Sequence, residues 1–126
     1  MVIDAERRFL WVVVDPRGIT IMCAQEVWEE HTAYRPELAE HFEEVKLTVQ
    51  EPDEIYFDPI STRSKAPGAK IYWYYKSKLA RGRFAGNFVA VAVKVVLEVD
   101  GTRREYVQSA LIPDRKEKLL ILEWIR

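Results

Sequence analysis

A chain of 126 residues with 48% hydrophobic and 12% aromatic side chains can build one apolar core, and it is too apolar for a disordered segment. Its single cysteine, Cys23, excludes an intrachain disulfide, and the two histidines, His31 and His41, match no zinc spacing, so neither a metal nor a cofactor is expected. The five glycines are scattered, which excludes a Gly-rich phosphate loop, and no apolar run approaches the length of a membrane span. The net charge of -1 hides a division: Ala24 to Asp58 has eleven acidic residues against two basic ones, while Pro59 to Leu97 has eight basic residues and no acidic one.

One domain over residues 1–126 is expected. Met1 to Arg8 carries four charges and no secretory pattern, which with the lone cysteine points to the cytoplasm and to no membrane. Phe9 to Val14 and Ile19 to Met22 are apolar runs joined by Asp15-Pro16-Arg17-Gly18, the signature of an N-terminal hairpin. Cys23, between Met22 and Ala24, reads as a small buried hydrophobe. Ala24 to Ala33 predicts a helix with Val27, Trp28 and His31 on one face, ending near Tyr34. Pro36 starts a second, in which Leu38, Phe42, Val45 and Val49 share a face, Glu37, Glu40, Glu43 and Glu44 face away, and Pro52 stops it. His41 among these glutamates reads as a solvated surface residue.

Beyond this point the period changes to two. Glu54 to Phe57 is a short strand, and Asp58 to Ala69, with Pro59, Pro67 and Gly68, is a loop. In the next strand Ile71, Trp73 and Tyr75 fall on one face and Lys70, Tyr72, Tyr74, Lys76 and Lys78 on the other. Asn87 to Val99 is a long strand with Val89, Val91, Val93, Val95, Leu97 and Val99 on one face and Phe88, Ala90, Ala92 and Lys94 on the other. Asp100-Gly101 turns the chain into a strand from Arg103 to Ile112, and Leu119 to Ile125 reads as a last strand. The sum is an α+β domain: an N-terminal hairpin and two helices packed on one face of an antiparallel sheet.

If the valines and the Ile71/Trp73/Tyr75 face meet the helices, the open face carries Tyr72, Tyr74, Lys76, Lys78 and Lys94. Alternating aromatics and lysines there would stack bases and bind phosphate, and Arg81 and Arg83 extend the basic block. The plainer reading is an acidic and a basic face that attract each other within the fold.

A helical His31, a Pro-started acidic helix, "PDEIYFD", "YWYYKSK", "FVAVAVKVV", a hairpin and "YVQSAL" follow one another over about residues 24 to 112. This order resembles the barnase–EndoU–colicin–RelE superfamily of metal-independent ribonucleases, in its phage-associated barnase-like branch. Arg35 stands where that pattern has His, and Leu111 where it has an aromatic. The resemblance implies an endoribonuclease, a toxin or effector, in which the RNA 2′-hydroxyl attacks the adjacent phosphate. His31 then serves as base or acid, Arg35 clamps phosphate, Lys76 or Lys94 stabilises the developing charge, and Ser109 hydrogen-bonds a phosphate oxygen. Tyr72, Tyr74, Lys78, Arg81 and Arg83 bind the RNA, and an antitoxin or inhibitor protein is the expected partner.

Two other functions fit the same residues: a non-catalytic RNA- or DNA-binding module, and a protein-interaction domain that pairs through an edge strand. A core histidine is the structural alternative for His31, and a packed strand position the alternative for Ser109. The helical histidine points to the core side and the lysine–tyrosine ladder away from it. They can share a site only at the helix end or at a sheet edge.

Overall fold

The computed structural model describes residues 8–63, 69–97, 100–101 and 103–126. Lys65, Pro67, Gly68 and the expected strand end at Val99 lie outside the described residues. The chain runs β1 (Phe9–Val14), β2 (Thr20–Ala24), α1 (Gln25–Tyr34), a 3-10 helix (Pro36–His41), α2 (Phe42–Gln50), β3 (Glu54–Phe57) and α3 (Pro59–Arg63). It continues with β4 (Lys70–Lys76), a 3-10 turn (Gly82–Phe84), β5 (Val89–Leu97), β6 (Arg103–Leu111) and β7 (Ile121–Ile125). The strands form one mixed sheet in the order β1-β2-β6-β5-β4-β3-β7.

The β1–β2 hairpin forms where its turn signal places it. Asp15 N–H donates to Ile19 O (2.8 Å), the Asp15 carboxylate accepts the N–H groups of Arg17 and Ile19 (both 2.9 Å), and Gly18 supplies a φ of +84°. The expected antiparallel sheet is corrected at one seam, because β2 and β6 run parallel at Met22 and Tyr106. A tight turn forces its two strands to be antiparallel. Here the helices and three strands separate β2 from β6, so that constraint is absent.

The second helix is not continuous. Pro36 opens a 3-10 helix, in which residues three apart eclipse, so Leu38 and His41 are both buried. His41, expected in solvent, is 1% exposed: Nδ1 donates to Glu37 O (2.7 Å), and Nε2 accepts the Arg81 N–H (3.0 Å). The predicted loop from Asp58 contains α3. Asp58 caps it by accepting the Ser61 N–H (2.9 Å), and Pro59 stands in the first turn.

The main correction concerns β4. Its register on β5 sets Tyr72 opposite Val93, Tyr74 opposite Val91 and Lys76 opposite Val89, so the tyrosines share the valine face and Trp73 points away. Val45 and Val49 of α2 and Leu38 join those valines, Tyr72 and Tyr74 in the core, and Trp28 of α1 packs against it. Tyr72 and Tyr74 are 9% and 0% exposed, which removes both from any open stacking surface.

Tyr74 is buried with its hydroxyl engaged. It donates to Asp15 Oδ2 (2.6 Å) and accepts from Arg17 Nη2 (3.0 Å), while Arg17 Nε meets Asp15 at 3.3 Å. The Arg17 guanidinium also covers the Tyr72 ring at 5.5 Å and the Tyr74 ring at 6.0 Å. Burial, joined by the Asp15 carboxylate, pushes the Tyr74 hydroxyl far above its usual titration range. Cys23 is fully buried, as expected, and burial pushes its thiol up to about 12.

Tyr74→Phe leaves Asp15 buried without its phenol donor and should lower stability by about 1–3 kcal/mol in urea titration. An unchanged midpoint would refute this account of the core. Cys23 in the native protein should resist iodoacetamide at pH 8 and react on unfolding; rapid native labelling would contradict its burial.

Candidate functional site

The expected site residues divide into those the fold brings together and those it ties down. His31 lies on α1, and its Nε2 sits 2.6 Å from the backbone oxygen of Gln108, 77 residues later, on β6. A carbonyl oxygen only accepts, so Nε2 carries the hydrogen of this bond. The register of β6 on β5 shifts at this point: Ala92 pairs with Ser109 and Val93 with Val107, which leaves Gln108 as the extra residue of a bulge. The bulge frees the Gln108 carbonyl from the ladder and places Ser109 beside the His31 contact. Both His31 Nδ1 and Gln108 Oε1 are buried with no hydrogen-bond partner among the described residues.

Arg35 follows one turn on and ends α1, its N–H donating to His31 O (2.8 Å). Directly after it, Pro36 begins a groove of about 680 Å³ whose other walls include His41, Arg81, Arg83 and Phe84. Lys94 on β5 pairs with Ile71 and Tyr106, so it shares a sheet face with Trp73 and Ser109. His31, Arg35, Ser109 and Lys94 are all half-buried. The bulge thus sets His31 against the backbone of Gln108, next in sequence to Ser109, whose side chain shares the Lys94 face.

Other predicted cations are held by the chain's own acidic half. The Lys76 ammonium donates to Glu51 O (2.6 Å) and lies 3.7 Å from Asp53, which removes it from the phosphate-binding role expected of it. Arg81 Nε meets the Glu44 carboxylate at 2.9 Å, and its guanidinium also donates to Glu40 O. For these two residues the plainer reading of the charge division holds. Arg83 is exposed over the Phe84 ring at 4.8 Å, and Lys78 is exposed in the turn after β4 with a φ of +68°.

Two residues of this region escaped the sequence reading. Gln108 had no signal, because a bulge is set by a neighbouring strand. Trp73 was assigned to the wrong face, since alternation within one strand does not tell which side meets the helices. Its Nε1 donates to Asp58 Oδ2 (2.9 Å). Burial opposes the charge on Asp58, yet the hydrogen bonds from Ser61 and Trp73 together hold its carboxyl below the usual range.

No protein-family model, curated protein or solved structure matches this chain.

Asp58→Asn should cost about 1.5–3 kcal/mol at pH 7, because the charged acceptor of the Ser61 and Trp73 hydrogen bonds is lost. The folded carboxyl titrates below its unfolded value of about 3.9, so its stabilisation is complete above that pH and fades as the pH falls through the folded value. Urea midpoints of the two proteins should therefore converge below about pH 4. A constant gap from pH 7 to pH 3 would refute the assignment.

Proposed function

We propose that this chain is a metal-independent endoribonuclease that cleaves RNA by attack of the 2′-hydroxyl on the adjacent phosphate. The observation that supports the reading most is the His31 contact with the Gln108 carbonyl, which joins the helical histidine to the strand carrying Ser109. In this reading both helices lie on the valine face and the reaction takes place beside the β6 bulge.

As the 2′-oxygen bonds to phosphorus, the bond from phosphorus to the 5′-oxygen breaks, and water supplies the proton for that leaving oxygen; this chain's residues take the other roles. With Nε2–H held by the Gln108 carbonyl, Nδ1 is the nitrogen left to take the 2′-hydroxyl proton. That nitrogen is buried, so the reaction includes an opening of the seam between α1 and β6 as RNA binds. Arg35 and Lys94 supply positive charge for the phosphorane, and Ser109 donates to a phosphate oxygen. Acting in the cytoplasm, such an enzyme endangers its own cell, so a toxin or effector role with an inhibitor or antitoxin protein completes the proposal.

Purified protein should cleave a mixed RNA pool in EDTA and leave cyclic-phosphate ends. His31→Ala should lower the rate about 10²–10⁴-fold, the usual worth of a positioned general base, and Lys94→Ala should also slow it. If wild-type protein leaves RNA intact at concentrations where it binds, the enzyme reading fails and a binding module takes its place.

A further inference from the structure

The face of the sheet turned away from the valines carries a row that crosses four strands. The register sets Tyr56, Trp73, Ala92 and Ser109 side by side on β3, β4, β5 and β6. Trp73 therefore stands two strand spacings, about 10 Å, from Ser109, with only the Ala92 methyl between them. Lys94 rises one row along, about 7 Å from Ala92.

Trp73 is prepared for contact. Its indole is half-buried and anchored through Nε1 to Asp58 (2.9 Å), whose other oxygen is held by the Ser61 N–H. A ring fixed in this way loses little further freedom when something stacks on it. It borders a groove of about 250 Å³ whose walls also carry Tyr75, Leu111, Arg115, Glu117 and Asp58. On β5 this face carries the cation Lys94, beside the small Ala90 and Ala92. An anchored aromatic near a lysine suits a polyanion with flat, unpaired bases. A duplex keeps its bases stacked inside and has none to offer.

We propose that Trp73 is the base-stacking residue for single-stranded RNA, which crosses this face with one base on the indole and the adjoining phosphate toward Lys94 and Ser109. The inference rests on the ribonuclease reading for the identity of the nucleic acid. The binding it describes does not require cleavage.

The test uses the full chain carrying His31→Ala, so that the RNA survives, with a fluorescent ten-nucleotide single strand and its duplex as probes. The single strand should bind more tightly than the duplex. Adding Trp73→Ala should weaken single-strand binding about 5- to 100-fold, the worth of one stacked base, while Trp73→Phe should recover most of it. Because Trp73→Ala also frees Asp58, a second measurement leaves the tryptophan intact: photocrosslinking of a 4-thiouridine strand, mapped by mass spectrometry, should place the adduct on Trp73. Equal affinity in a folded Trp73→Ala protein, an adduct at the Arg83–Phe84 groove, or no RNA binding would overturn the proposal. Stacking at Trp73 without wild-type cleavage would sink the enzyme reading alone. Cleavage unaffected by Trp73→Ala, with the adduct elsewhere, would sink the stacking alone.

Discussion

The hydroxyl of Tyr74, buried under the hairpin tip and bonded to Asp15 at 2.6 Å, constrains much of the rest of the molecule. A phenol can enter a core only if its polar end finds a partner, and a carboxylate can follow only if it is itself surrounded by donors. Asp15 meets that condition with the N–H groups of Arg17 and Ile19, the Arg17 side chain and Tyr74. The contact joins residues 59 apart and ties the edge hairpin to the interior strand β4. Because side chains alternate along a strand, placing Tyr74 inward obliges Tyr72 to follow and turns Trp73 outward. The composition of both sheet faces depends on that choice.

The division of charge has a similar inward explanation. Lys76 and Arg81, two of the eight cations of the basic segment, reach back to Glu51, Asp53, Glu40 and Glu44 of the acidic one. Exposed pairs such as Arg81–Glu44 add little stability each, but they reduce the field that a nucleic acid would meet. What is left for a polyanion is local. Lys94 stands on the outward face of β5, and Arg83 borders the groove after Pro36, beside Glu37 and Glu40. A count of charges along the chain cannot distinguish these from the cations held at home.

The candidate site forms at a discontinuity in the sheet. β2 touches β6 at Met22 and Tyr106 and then gives way to α1, while the bulge at Gln108 interrupts the ladder on the other side. Backbone left unpaired by both neighbours needs another partner, and His31 provides one. His31 thereby reaches the backbone of β6 at Gln108, the residue before Ser109 of the outward face.

The amino-acid sequence by itself determined the local elements. The bounds of β1 and β3, the Asp15 turn, the start of a helical segment at Pro36 and the burial of Cys23 follow from turn chemistry, β-branching and spacing, which act over a few residues. Asp58-Pro59 carried a helix-start signal as well, overlooked among loop residues. Tertiary structure alone decided the facing of β4, the burial of His41, the parallel seam between β2 and β6, and the meeting of His31 with Gln108. Each depends on a partner far away in the chain: Asp15 for Tyr74, Arg81 for His41, β5 for the bulge. A two-residue period states that two faces exist, and only the strands and helices that pack against them determine which one is buried.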